Sequence, residues 1–326
     1  MAQIPRVIDP DGLASGFIDE WLSDAPTVTA HTSGSTGTPK ELQLLKSDML
    51  RSAEATCRYF GIDRMSVLHL PLSTSYIAGK MMVVRAMVSG ATLIVERASS
   101  TPLLHIPSEI THVDLTAVVP SQVNGLLASS HIAKLRNVIV GGGAVSAEIE
   151  QRLRQSPVHA WTTYGMTETC SHVALRDLCA DADTYAALPG VVFSTDDRGC
   201  LVIEAESYSF GHLVTNDVVE LVSAHEFRWL GRYDNVINSG GIKLHPEEME
   251  KRLEGLLPCP FYIIGRPSAR WGEEAVIVAE GADPAMCMRI MDIARGVFDR
   301  YRVPKDVINM TRFIYASNGK IKRVLP

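Results

Sequence analysis

Residues 31–40 read His31-Thr32-Ser33-Gly34-Ser35-Thr36-Gly37-Thr38-Pro39-Lys40, a run that crowds small hydroxyls, two glycines and one cation together. Such a loop is suited to holding phosphate. Gly34 and Gly37 tolerate positive φ and let the backbone come close to a ligand, so that successive N–H groups converge on an anion. Thr32, Ser33, Ser35 and Thr36 add hydroxyl donors, and Lys40 adds a point charge. A Walker-type loop is excluded, because only Ser35 and Thr36 separate the glycines and Pro39 precedes the lysine. By composition alone, a surface turn is the competing reading.

Four further groups can do chemistry. In Thr163-Tyr164-Gly165-Met166-Thr167-Glu168 an aromatic ring can stack on a base, a hydroxyl can bond a phosphate oxygen and a carboxylate can hold Mg2+. The alternative is a buried tyrosine beside a turn. Gly141-Gly142-Gly143-Ala144 follows an apolar run and is either a tight turn or a place of close ligand approach. Asp217 stands where a carboxylate could accept both ribose hydroxyls, with Arg232 downstream, although a surface ion pair would use the same two residue types. The basic segment Ser317-Asn318-Gly319-Lys320-Ile321-Lys322-Arg323 closes the chain and by itself reads as a solvated tail.

In this order the motifs resemble those of the adenylate-forming superfamily, which includes acyl-CoA synthetases, adenylation domains and luciferases. The resemblance extends from about residue 25 to the end. It implies ATP, Mg2+ and CoA. Thr32, Ser33, Gly34, Ser35, Thr36, Gly37 and Lys40 would hold the β,γ-phosphates, and Gly142, Gly143 and Ala144 would lie between acyl group and adenine. Tyr164 would border adenine, Thr167 the α-phosphate and Asp217 the ribose, with Arg232 in support. Glu168 would be the magnesium ligand and Lys320 the catalytic lysine. Asp234 matches the hinge between domains, and Gly240 and Gly241 match the loop along the pantetheine route.

The longer string Met166-Thr167-Glu168-Thr169-Cys170-Ser171 is similar to that of the o-succinylbenzoate:CoA ligases of menaquinone biosynthesis, which implies a dicarboxylic acid as substrate. Lys80 and Arg85 are the cations available for its second carboxylate, since an unpaired buried carboxylate is costly. A carrier-protein-loading adenylation domain would share the nucleotide motifs, and a non-catalytic nucleotide-binding regulator would be expected to lack Lys320 or Glu168. There are three departures from the family pattern. Asn216 stands where a glycine is usual, the Pro-Arg-Thr lead before Gly319 is missing, and only thirty residues precede His31 where relatives have over a hundred. The last implies a first subdomain truncated at its start, and a homodimer covering the face so exposed.

The elements that must position these groups follow from periodicity. Apolar runs at Val67–Leu70, Thr92–Val95, 117–119 and 137–140 read as buried strands, alternating with amphipathic helices over 46–59, 79–88 and 121–127. This is an α/β pattern with a largely parallel sheet. After Gly199 the chain becomes β-rich, with strands expected at Cys200–Ala205, 213–216 and 218–222. A helix opens at Pro246 with Met249, Leu253 and Leu256 on one face, strands follow at 261–264 and 275–279, and a helix spans 284–301. The expected architecture is a large α/β domain over 1–231 and a small mobile α+β domain over 235–326, hinged at 232–235.

A net charge of −6 over 326 residues leaves no electrostatic footprint for nucleic acid. The most apolar run, 81–95, is interrupted by Arg85, so no membrane span is expected. The first residues lack the plan of a secretion signal, and the six cysteines are scattered without a Cys-x-x-Cys pair. They read as reduced thiols of a cytoplasmic protein, and their spacing disfavours a metal-thiolate site.

Overall fold

The computed structural model describes residues 5–31, 41–180, 183–315 and 321–326. The chain divides into two compact units, one of Met1–Phe193, Ile203–Leu213 and Val222–Phe227, the other of Ser194–Val202, Val214–Leu221 and Arg228–Pro326. It therefore passes between the units inside the strands Cys200–Ala205, Gly211–Ser223 and Glu226–Arg232.

In the first unit six strands run parallel, in the order Val7–Ile8, Thr92–Val95, Val67–Leu70, Val113–Val118, Leu135–Val140 and His159–Gly165. His172–Asp177 and Tyr185–Ala187 continue the sheet in antiparallel sense. Strand residues alternate between its two faces. Leu68, Leu70, Leu93, Val95, Leu115 and Ala117 pack on one side, where the helices Lys46–Phe60 and Ile77–Ser89 supply Met49, Ala53, Met81 and Val84. Val67, Ile94, Val113, Val118, Val138 and Val140 pack on the other with Val123, Leu126 and Leu153, from the helices Pro120–Leu127 and Ala147–Arg154. A parallel sheet buried on both faces explains why its strands read as continuous apolar runs.

The helices expected over 46–59, 79–88 and 121–127 are present within one or two residues. Two expectations fail for identifiable reasons. The runs 213–216 and 218–222 form one strand, Gly211–Ser223, because Asn216 makes no turn there: Arg198 Nη1 donates to its Oδ1 at 3.0 Å. The final helix ends at Val297, since Phe298 is extended and the Asp299 carboxylate captures the N–H groups of Tyr301 and Arg302. A hairpin of Thr27–His31 with Glu41–Leu45, not anticipated, brings His31 opposite Glu41, the two residues that flank the glycine-rich run 32–40. The run itself lies outside the described residues.

The second unit contains an antiparallel sheet of Ile242–Leu244, Ile237–Ser239, Gly272–Glu280 and Phe261–Ser268, with Asp306–Met310 added in parallel. The helices Pro246–Leu253 and Pro284–Val297 cover it through Met249, Leu253, Ile290 and Ala294. Leu256 lies beyond the first of these and is exposed, because Gly255 takes φ +76° and turns the chain away.

Gly125 shows how tightly the sheet edge is built. A Cβ there would lie 2.0 Å from the Ser100 carbonyl oxygen. Alanine in a helix normally gains about 1 kcal/mol over glycine, but this contact is with backbone and cannot yield cheaply. We expect Gly125→Ala to lose about 1–3 kcal/mol of stability, measured by urea unfolding; a stabilised variant would contradict the packing described.

Candidate functional site

The strand Val67–Leu70 sits between Thr92–Val95, which follows it in sequence, and Val113–Val118, which comes next. The chain thus turns to one side of this strand and then to the other. Ligands of open α/β sheets bind at such a switch, beyond the carboxyl ends of the strands. A cavity of about 350 Å3 lies there, lined by Leu72, Ser73, Tyr76, Ser99, Val119 and Gln122 among others. Its walls are stitched by Gln122, whose amide donates to the carbonyls of Pro71 (3.0 Å) and Ser99 (2.8 Å) while its Oε1 accepts from Val119 N–H at 3.1 Å. Gly79 admits the Ser73 carbonyl, which would be 2.2 Å from a Cβ.

The glycine run begins one strand further on. Gly141 N–H bonds the Val118 carbonyl (3.0 Å), and a Cβ at Gly141 would meet Thr163 Oγ1 at 2.5 Å. Gly142 adopts φ +78°, and Gly143 faces the Pro120 ring. These are both a turn and a close approach, with Gly141 the position where a side chain is excluded by the next strand.

Tyr164 lies near the end of His159–Gly165, its ring edge-on to Phe227 (5.0 Å) and Tyr185 (5.9 Å). The backbone then turns tightly. A Cβ at Gly165 would lie 2.3 Å from the Ser171 carbonyl, and the register shifts between Tyr164 and Gly165. Thr169 ties the turn together: its hydroxyl lies 3.0 Å from the Met166 carbonyl and 2.7 Å from that of Ser171, and accepts from Met166 N–H. Cys170 is forced to φ +63°, and burial pushes its thiol up to about 12. Thr167 is buried and Glu168 is exposed, with no ion pair among the described residues. A free carboxylate at the tip of a rigid turn is a hard oxygen donor of the kind Mg2+ takes alongside phosphate oxygens, so the residues present fit that ion.

Behind the turn is a polar cluster that the motifs did not reveal. Arg85, 2% exposed, donates from Nη2 to Ser171 Oγ at 2.8 Å, while its Nε has no partner and no carboxylate pairs with it among the described residues. Burial draws its guanidinium down to about 10. Burial and the Arg85 charge together hold His172 well below the usual imidazole range, so its ring is neutral between Thr56 and Ser171, each 3.3 Å away. Lys80 is different. Its Nζ meets Glu20 Oε2 at 2.9 Å and lies 4.5 Å from the centre of the Phe17 ring. Of the two cations considered for an acid pocket, Lys80 is thus already compensated within the chain.

In the second unit Asp217 is buried, accepting from Trp229 Nε1 at 3.2 Å and lying 3.5 Å from Arg232 Nη1. Arg232 also meets Asp234 at 3.4 Å, in the 3-10 turn Tyr233–Asn235. A surface ion pair does not describe Asp217. Trp229 has no motif to mark it. Gly240 and Gly241, with φ +60° and +88°, are the whole two-residue loop between Ile237–Ser239 and Ile242–Leu244, a hairpin turn that requires positive φ at both positions.

Lys320 and residues 316–319 before it lie outside the described residues, but the residues that follow it do not. Ile321 bridges Tyr315, and Lys322 N–H bonds the Ile314 carbonyl at 2.7 Å. Arg323 grips both oxygens of Glu250 and the Ile263 carbonyl (2.9 Å). Burial alone would lower the Arg323 guanidinium, yet Glu250 holds it above its usual value.

Comparison with known proteins agrees with this geometry. Residues 17–206 match the AMP-binding enzyme family, and the chain belongs to it. An acyl-CoA synthetase (AMP-forming)/AMP-acid ligase II-like protein from Dyadobacter fermentans is 32% identical, with TM-score 0.65 over 98% of this chain and 94% of that one. The 2-succinylbenzoate–CoA ligase of Salmonella typhimurium is 27% identical over 89% of this chain and 66% of its own length. The o-succinylbenzoate CoA synthetase of Bacillus subtilis, solved with the acyl-adenylate OSB-AMP, shares the fold at TM-score 0.78 and 20% identity, over 91% of this chain and 68% of that one. No helix among the described residues is long and apolar enough to cross a membrane.

The Arg323 clamp yields a test of what pins the final segment. Arg323→Met leaves Glu250 buried without its cation and should cost about 3–5 kcal/mol. The double variant Arg323→Met/Glu250→Leu removes both charges and should recover most of that loss in urea unfolding. Additive losses would rule out the clamp.

Proposed function

We propose that this chain is an ATP-dependent acid:CoA ligase that adenylates o-succinylbenzoate and passes the acyl group to CoA. The observation that carries the reading is the turn 165–171, which turns Glu168 outward to solvent while Ser171, on its inner side, bonds a buried guanidinium that has no carboxylate partner among the described residues. Relatives named 2-succinylbenzoate–CoA ligase support the choice of acid.

A carboxylate attacking an α-phosphate brings two anions together, so the barrier is one of charge and position. Lys320 bridges the two anions, the 32–40 backbone holds the outer phosphates, Thr167 contacts the α-phosphate and Asp217 the ribose, supported by Arg232. Tyr164 and the 142–144 backbone border the adenine. Mg2+, held by Glu168, would neutralise phosphate charge. Pyrophosphate leaves and the acyl-adenylate stays. Turning about Asp234, the domain 235–326 then withdraws Lys320 from the domain 1–231, and the CoA thiolate approaches past Gly240 and Gly241 to attack the activated carbonyl, breaking its bond to the phosphate oxygen and expelling AMP. One site thereby runs two half-reactions in turn. Arg85 receives the second carboxylate of the diacid. The reading includes a cytoplasmic location and a homodimer, checked by light scattering for twice the 35.6 kDa chain mass.

An acid panel assayed for nucleotide products tests it. With o-succinylbenzoate alone we expect pyrophosphate, and on adding CoA also AMP and the thioester; ADP as product would overturn the reading, and pyrophosphate release with no thioester on adding CoA would point to a carrier-protein thiol. Lys320→Ala should lower the adenylation rate on the order of 10²- to 10³-fold. Arg85→Met has a signature in two directions. Replacing an uncompensated buried charge by an apolar side chain should leave the free protein as stable or more so, while raising KM for the diacid and sparing a monocarboxylic analogue. Destabilisation without a KM change would remove Arg85 from the acid site.

A further inference from the structure

The strands His159–Gly165 and His172–Asp177 form an antiparallel pair in which Trp161 faces Asp177. The Leu178 N–H to Ala160 carbonyl bond (2.9 Å) carries the same register one step beyond the second strand. His159 and Cys179 are next in line, so they stand opposite each other at the open end of this hairpin, with Asp177 on the same face. Residues 159, 177 and 179 have no recognisable ligand spacing in sequence, which is why the scattered cysteines pointed away from a metal site; the hairpin register assembles what the spacing hides.

The donors differ in kind and are held in place. An imidazole nitrogen, a carboxylate oxygen and a thiol sulfur lie within 4.8 Å of one another. His159 Nε2 is 2.9 Å from both Asp177 oxygens, and its ring is stacked on Trp161 at 4.7 Å and 6°, which fixes its plane. Asp177 Oδ1 also accepts the N–H groups of Cys179 (2.8 Å) and Ala180 (3.3 Å), so the carboxylate is oriented by backbone. Cys179 is exposed. A tetrahedral zinc shell sets N, O and S donors about 3.3–3.6 Å apart, given Zn–N near 2.0 Å and Zn–S near 2.3 Å; rotation of the Cys179 side chain closes the remaining gap.

We propose that His159, Asp177 and Cys179 form a surface site for a borderline-soft divalent cation of the Zn2+ class, with water as fourth ligand. Nitrogen, oxygen and sulfur together select zinc-like ions over Mg2+ or Ca2+. Charge balances: binding releases one proton, from the Cys179 thiol to buffer, and His159 ligates through Nε2 with its proton on Nδ1. One thiolate and one carboxylate then neutralise the dication. The site clamps the end of the hairpin opposite the turn that bears Glu168, and it stands whether or not the ligase reading does.

The test uses the full chain, stripped with chelator, reduced with a non-chelating phosphine and titrated with Co2+. We expect one equivalent to give a thiolate-to-cobalt charge-transfer band that Zn2+ abolishes by displacement. The band should vanish in Cys179→Ser and persist in Cys287→Ser, and His159→Ala should weaken binding on the order of tenfold or more. The Cys179 and His159 side chains are exposed and that of Cys287 is half-buried, and circular dichroism confirms that each variant folds. No band in the unaltered protein, a band surviving Cys179→Ser, or unchanged affinity in His159→Ala would each overturn the site.

Discussion

The close approach of two backbones at Gly165 is the constraint on which the candidate site depends. With Ser171 O only 2.3 Å from where a Cβ would stand, no other residue fits, and the chain must reverse within the five residues between them. Each feature of the turn follows. The Thr169 hydroxyl takes the place of ladder bonds that the reversal removes, Cys170 accepts a left-handed conformation that an L-residue normally avoids, and Thr167 turns in while Glu168 turns out. Strain of this kind persists only where surroundings over-determine it. Here the surroundings are Thr169 on one side and the packed side chain of buried Cys170 on the other.

The same turn delivers Ser171 to Arg85, and with it an electrostatic problem. A guanidinium in an apolar interior needs compensation, and the described residues nearby offer only neutral groups: Ser171, Met82 sulfur, His172 and Thr56. His172 stays neutral because it is buried and, further, because it shares the cluster with that charge. Elsewhere the chain answers buried cations with carboxylates, as at Lys80 with Glu20 and Arg176 with Glu150. Arg85 has none among the described residues, and in the proposed function the anion is supplied by substrate.

How much of this was legible beforehand depends on the range of the interaction. The buried strands, the helix starting at Pro246 and the glycine pair at 240–241 are local statements about apolar runs and backbone freedom, and they survive in the structure. Lys80 and Arg85 lie five residues apart on one helix and could not be told apart by sequence, because what separates them is Glu20, sixty residues away. Asp217 was legible as a carboxylate at a strand but not as a buried one, since its burial comes from Trp229 on the neighbouring strand. Strand ends misjudged at 216–217 were misjudged for the same reason: Arg198 satisfies Asn216 across the sheet, and a residue type that favours turns then costs nothing in a strand.

The final motif sets two basic residues of different physical character three positions apart. Arg323 has a planar fork that suits bidentate pairing with Glu250, and it reaches the Ile263 carbonyl as well, so it fastens the last segment to the small sheet. Burial pushes the Glu250 carboxyl up and the Arg323 guanidinium draws it back down, so each charge depends on the other. Lysine carries a compact charge on a flexible stem, which suits Lys320 to bridging two anions but not to a fixed fork. The bridge of Ile321 to Tyr315 lies between these two residues, so the segment is anchored immediately after Lys320. In the proposed ligase this is the useful arrangement: a lysine that must enter and leave a site is best carried on a segment whose own attachment does not depend on the ligand.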